Sequence, residues 1–213
     1  MIHLFFTRIQ SEWTDVVFDA YFNELPTRIV DSIKKKRIKK DRQLSMIGKL
    51  LLKRMLGTLT IGETLNLDNL SYSSFGKPYF PGSALKFNIA HSHNMVVCVA
   101  GLQGEMGIDI ELIRPVHLDD FTDYFVAEEW DRIYNNPNKH EGFFEAWTRK
   151  EAFIKATGTG MSIPLESINT VQPALTHDNK TFFISEVNIA RDYKCHVASE
   201  AVVPTFTLKQ YIF

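Results

Sequence analysis

The sequence predicts an α+β protein made of two similar α/β subdomains packed together. Three observations predict it. Each half of the chain offers β-like segments and one long helical stretch. No low-complexity linker separates the halves. At 213 residues the chain is long enough to bury a full core, as one domain or as two small halves. The expected division is 1–104 and 105–213, with the second subdomain carrying a pair of acidic motifs.

The elements follow in order. Met1 to Thr7 is a short β-like start. Pro26 opens a long helical stretch in which Ile29, Ile33, Ile47, Leu50 and Leu51 form an apolar stripe, with a break expected near Lys40-Asp41 and a stop at Gly57. The stretch is strongly basic, from Arg28 through Lys34, Lys35, Lys36 and Arg37 to Arg54. Such a run is a solvated helix face or an anion-binding wall. Tyr72 to Phe80 contains Gly76 and Pro78, which mark a turn with Lys77 at its tip. Phe87-Asn88-Ile89-Ala90-His91-Ser92-His93 leads into the apolar strand Met95 to Ala100, so His91, Ser92 and His93 fall where a loop meets a buried strand. Met106 to Leu112 reads as a strand broken by Arg114-Pro115. Helices are expected from Ala127 through Tyr134 and from about Glu141 to Gly158. On the second, Phe143, Trp147, Lys150 and Ile154 cluster in angle as a core-facing stripe, with Glu151 beside it and partly buried. The remainder reads as strands around Phe182-Ile184, Cys195-Ala198 and Phe206-Leu208.

Composition excludes several classes. The 45% hydrophobic and 23% charged fractions are those of an ordinary soluble globular protein. A net charge of −1 gives no global pull toward nucleic acid or membrane, so any phosphate site must be local. Cys98 and Cys195 lack CxxC spacing and read as buried free thiols. The longest apolar run, Met95 to Leu102, is too short to span a bilayer, and the N-terminus has no signal-like core. Cytoplasmic residence is the expectation.

The chemistry concentrates in two motifs. In Gly107-Ile108-Asp109-Ile110-Glu111 the alternation puts both carboxylates on one face of a strand. Two acids at i and i+2 repel and are costly to bury unpaired, and a hard cation held by both resolves that cost. In Trp147-Thr148-Arg149-Lys150-Glu151-Ala152-Phe153-Ile154-Lys155, Glu151 and Lys155 share a helix face one turn apart. Three carboxylates and one ammonium suit Mg²⁺ with phosphate oxygens completing its shell. The plainer readings are a wet edge strand for the first motif and an ordinary helix ion pair for the second.

Gly76-Lys77-Pro78-Tyr79-Phe80, Phe87 to Ser92, Gly107 to Glu111 and Trp147 to Gly158 occur in that order. The succession resembles the signatures of the 4′-phosphopantetheinyl transferases, of the surfactin-synthetase-activating type, over about Pro26 to Pro164. The resemblance implies a pseudo-dimer of two related α/β halves with coenzyme A between them. It implies transfer of the phosphopantetheine arm of coenzyme A to a serine of an apo acyl or peptidyl carrier protein, releasing adenosine 3′,5′-bisphosphate. By position, Asp109, Glu111 and Glu151 take the Mg²⁺-ligand roles and Lys155 meets the pyrophosphate. His91 and Arg28 meet the 3′-phosphate, Lys77 and Pro78 border the adenine, and Ser45 places a hydroxyl near the nucleotide. Glu129 aligns loosely with a glutamate that assists the metal or acts as base. The chain departs from the family at Ala90, where a serine is frequent, with Ser92 or His93 as the nearest replacements. It departs again at Asp31 and Ser32, where a second basic residue is frequent and Lys34 or Lys35 stands nearby. A monomer that uses neither nucleic acid nor membrane is the family expectation. The rival readings are a Mg²⁺-dependent nuclease or phosphodiesterase and a non-catalytic paralogue that binds carrier proteins.

Overall fold

The computed structural model describes residues 1–59, 65–202 and 204–213. In chain order the elements are β1 (Ile2–Arg8), α1 (Asp15–Phe22), α2 (Thr27–Lys34), α3 (Lys39–Leu56), β2 (Ser71–Tyr72) and β3 (Pro78–Tyr79). Then come β4 (Lys86–Ser92), β5 (Met95–Gly101), β6 (Met106–Leu112), α4 (Ala127–Asn135) and α5 (Lys139–Thr157). The chain closes with β7 (Ala174–His177), β8 (Lys180–Glu186), β9 (Tyr193–Ser199) and β10 (Phe206–Gln210).

One plan is used twice. A strand enters, helices follow, and a hairpin returns so that its second strand lies antiparallel beside the first. In the first half β5 pairs with both β1 and β4; in the second β9 pairs with both β6 and β8. The sheet orders are β10-β1-β5-β4 and β6-β9-β8-β7. The expected boundary between residues 104 and 105 falls between β5 and β6, while β10 crosses back to pair in parallel with β1.

Each sheet is covered by its own long helix, and the strand alternation divides the core accordingly. On one face of the first sheet Phe5, Phe87 and Cys98 meet Ile33, Ile47, Leu50 and Leu51 of α2 and α3. On the other face Leu4, Val97 and Val99 pack with Ile108, Ile110, Cys195 and Val197 of the second sheet. Strand β5 is thus buried on both faces, which is why its sequence is a continuous apolar run rather than an alternation. Both cysteines are buried and unpaired, and burial pushes the Cys98 thiol up to about 12.

At the seam between the sheets, β4 and β6 lie edge to edge. The Ile108 amide donates to Asn88 Oδ1 at 3.0 Å and the Leu112 amide to Ser92 Oγ at 3.2 Å. Both partners advance by four residues, so the strands run in the same direction, joined by side-chain acceptors.

Two details differ from the sequence reading. The break in the first helical stretch lies at residues 35–38, not at Lys40-Asp41. Lys35 to Ile38 are all exposed, so nothing in that turn is held against the core. Helix α1 was not anticipated; Thr14 caps it by accepting from the Val17 amide, and Phe18 anchors it. Among the described residues no helix is long and apolar enough to cross a membrane.

Candidate active site

The site forms where α5 crosses β6. Gly107 sets the approach, because a Cβ there would collide with the Ala152 carbonyl and the Ala156 amide. With no side chain in the way, the helix lies directly on the strand, and Lys155 comes over Asp109. Its Nζ donates to Asp109 Oδ1 at 2.5 Å. Asp109 is 5% exposed, and its Oδ2 is buried with no hydrogen-bond partner among the described residues. Burial, opposed by Lys155 and reinforced by Glu111 and Glu151, pushes the Asp109 carboxyl up to about 7. For Lys155 burial works against the charge, but Asp109, Glu151 and Glu111 outweigh it and raise the ammonium above its ordinary value. Three carboxylates therefore act on one ammonium, as the two motifs imply.

The second strand acid is held from the other half of the chain. Ser92 Oγ donates to Glu111 Oε2 at 2.6 Å while accepting from the Leu112 amide. Burial raises the Glu111 carboxyl. Among the described residues no three His, Cys, Asp or Glu side chains stand together as a ready-made metal cage. Even so, the arrangement fits a hard cation. Asp109 presents a buried oxygen without a partner, and burial disfavours the ionised form of both strand acids, so an added positive charge would offset that cost.

Beside these groups runs a groove of about 330 Å³, lined by Lys77, Pro78, Asn88, Glu151, Lys155 and Gly158 among others. It brings Glu151 and Lys155 of the second half opposite the Gly-Lys-Pro hairpin of the first. His91, near the end of β4, is solvent-exposed on one side and packed on the other. Burial on the packed side, then the charges of Lys155 and Lys36, lower its pKa. The charge that acts on His91 from the turn between α2 and α3 is that of Lys36, where the sequence pointed to Lys34 or Lys35. Lys34 lies over the Phe22 ring at 4.8 Å instead. Ser45 is half-buried on α3. Arg28 donates to the carbonyls of Leu67 at 2.9 Å and Asp68 at 2.8 Å, which ties α2 to the turn at Leu67–Asn69 beyond α3.

Glu129 is not brought to this site. It is 1% exposed at the start of α4, where its carboxylate accepts from Lys150 Nζ at 2.7 Å, the Thr170 amide at 2.9 Å, the Thr170 hydroxyl at 2.5 Å and the Val126 amide at 3.1 Å. Every lone-pair direction is used inside the protein. Lys150 precedes Glu151 by one residue and so points about 100° away around the helix. Lys77 also departs from its expected place at a turn tip: its ammonium turns inward to Glu105 and the Ala156 carbonyl. Asn88 and Gly107, which join β4 to β6 and β6 to α5, carry no ionisable group and were missed. The only signal was their position inside the two strand motifs.

Comparison with known proteins points to one family. The model of the 4′-phosphopantetheinyl transferase superfamily matches residues 105–207, from the start of β6 into β10. A 4′-phosphopantetheinyl transferase, gsp, of Aneurinibacillus migulanus is 30% identical over 211 residues, covering 93% of this chain and 86% of that protein. The transferase HetI of a Nostoc strain is 33% identical over 137 residues, covering 61% of this chain and 56% of its own. Sfp of Bacillus subtilis strain 168 is 30% identical over 138 residues, covering 62% of this chain and 59% of that protein.

Proposed function

Because the chain belongs to the 4′-phosphopantetheinyl transferase family, we propose that it moves the phosphopantetheine arm of coenzyme A to a serine of an apo acyl or peptidyl carrier protein. The other product is adenosine 3′,5′-bisphosphate. The observation that carries the reading is the contact of Asp109 with Lys155, which lines a groove between the two halves.

Coenzyme A lies along that groove with its pyrophosphate toward Lys155 and its adenine beside Lys77 and Pro78. His91, Arg28 and Lys36 form the basic end for the 3′-phosphate, and Ser45 offers a hydroxyl there. Asp109, Glu111 and Glu151 are the residues that would hold Mg²⁺. When bound there, Mg²⁺ would supply positive charge against that of the pyrophosphate.

The remaining chemistry belongs to the side chains. The carrier serine Oγ bonds to the β-phosphorus, and the bond from that phosphorus to the bridging oxygen breaks. Glu151 takes the hydroxyl proton. Glu129 is excluded from that task by its four internal hydrogen bonds. Lys155 is a fixed cation at the oxygens where charge grows, already oriented by Asp109, so it needs no reorganisation as the reaction proceeds. Both substrates held in line supply much of the acceleration.

The test is release of adenosine 3′,5′-bisphosphate from coenzyme A, followed chromatographically with and without an apo carrier protein. Release that requires the carrier supports the reading. Release without the carrier points to hydrolysis, and cleavage of plasmid or RNA instead would point to a nuclease.

A further inference from the structure

Lys77 has so far been given only a place beside the adenine, yet both hydrogen bonds of its ammonium go to the protein. Nζ donates to Glu105 Oε2 at 2.9 Å and to the Ala156 carbonyl at 2.8 Å. Ala156 stands in the last turn of α5, directly after Lys155, where helix carbonyls lack an amide from the next turn. A cation at a helix C-terminus also opposes the negative end of the macrodipole. The side chain is 15% exposed, so these contacts are made largely away from water.

The stem of the lysine is fitted as closely as its head. Gly158 ends α5 with φ +73, and a Cβ there would come 2.9 Å from Lys77 Cδ. Glycine is needed at that position twice over, for its backbone and for the lysine that crosses it. Glu105 Oε1 accepts from Lys86 Nζ at 2.7 Å. The Lys77 ammonium therefore joins the hairpin of β2 and β3 to the end of α5 and to Glu105, and Glu105 in turn ties in Lys86 at the start of β4.

We infer that Lys77 is a positioning residue, which caps the C-terminus of α5 from the opposite half of the chain and so holds Lys155 over Asp109. Its charge is used within the protein rather than on a phosphate of the ligand. The catalytic consequence rests on the transferase reading, while the cap itself does not. A direct phosphate ligand and a helix cap make opposite demands on the data. Removing a phosphate ligand weakens coenzyme A binding and leaves the free protein unchanged. Removing the cap frays the last turn of α5 in the free protein and slows the reaction through Lys155.

The experiment compares Lys77→Met and Glu105→Gln with the unaltered chain. Amide hydrogen exchange is read over residues 153–160 without ligand, coenzyme A affinity by calorimetry, and kcat with an apo carrier. For Lys77→Met the expected result is about tenfold faster exchange in the last turn of α5. A kcat lower by about tenfold should accompany it, with a coenzyme A Kd within about threefold of the original. Glu105→Gln, which keeps the lysine and removes its charged partner, should move exchange and kcat in the same direction by less, and gives the answer if Lys77→Met fails to fold. Unchanged exchange in that turn, or a Kd raised by about tenfold or more at normal exchange, overturns the inference. If the unaltered chain neither binds coenzyme A nor modifies a carrier, the transferase reading fails, and the exchange data alone still decide whether Lys77 caps the helix.

Discussion

Lys155 holds one oxygen of Asp109 at 2.5 Å and leaves the other buried without a partner among the described residues. The contact fixes one side of the carboxylate and leaves the other oxygen buried. Asp109→Asn keeps the shape and removes the charge. It should leave a cooperative thermal transition in place and lower transfer by about 100-fold or more, as loss of an electrostatic group in a desolvated site does. Circular dichroism melts and carrier modification rates measured on the same preparation check both halves of that statement. Near-normal turnover would remove Asp109 from the site.

Glu129 and Glu151 should part company when each becomes glutamine. Glu151→Gln removes the proposed proton acceptor from the groove and should slow transfer while the protein stays folded. Glu129→Gln leaves Lys150 charged and unpaired in the core, at a cost of about 3 kcal/mol or more. Its kcat per folded molecule should stay close to the original. Adding Lys150→Met should recover much of the lost stability. Denaturant melts with active-site titration separate the cases; a slow but stable Glu129→Gln protein would return Glu129 to the catalytic list.

His196 makes stability depend on pH. The Thr148 hydroxyl donates to the Phe144 carbonyl at 2.6 Å, so its oxygen accepts from His196 Nδ1 at 2.8 Å. Burial, then the charges of Arg149 and Lys194, push this imidazole down from 6.5 to about 3. As pH falls below 6.5 the unfolded chain takes the proton and the folded chain does not. The contribution of His196 is therefore complete above that value and falls by ~1.4 kcal/mol for each pH unit toward 4. The difference in unfolding free energy between the original chain and His196→Gln should shrink with that slope between pH 6 and 4 (about 2 units). A difference that does not change with pH would mean that the folded protein admits the proton.

Gly107→Ala should be severe for a residue so small. The new methyl meets helix backbone, which cannot rotate aside, so α5 must lift from β6. A loss of about 3 kcal/mol or more is expected, at the upper end for overpacking, together with lost transfer as Lys155 leaves Asp109. A crystal structure of the variant with α5 unmoved would contradict this.

The strands and helices with strong local signals were legible: the alternation in β6, the apolar run of β5, the Gly57 and Gly158 stops and the partly buried Glu151 all lie where the residues point. What escaped was set by distance along the chain or by side-chain direction. The pairing of β10 with β1 joins residues about 200 apart and leaves no local trace. Glu129 aligned by order alone; Lys150 claims it, and nothing in a sequence tells which of two adjacent helix residues will draw a distant acid. A Gly-Lys-Pro turn says where the backbone bends, but a four-carbon stem reaches outward or inward equally well, and the acceptors that draw Lys77 inward lie about 28 and 79 residues away.

Intact-protein mass spectrometry of an apo carrier protein incubated with this chain, coenzyme A and Mg²⁺ decides whether the chain is a transferase. The expected result is a gain of one phosphopantetheine on the carrier, abolished by EDTA and by Asp109→Asn, because the pyrophosphate charge would then lack its cation. No gain on carriers from fatty acid, polyketide and peptide systems, with the unaltered chain folded and Mg²⁺ present, would contradict it.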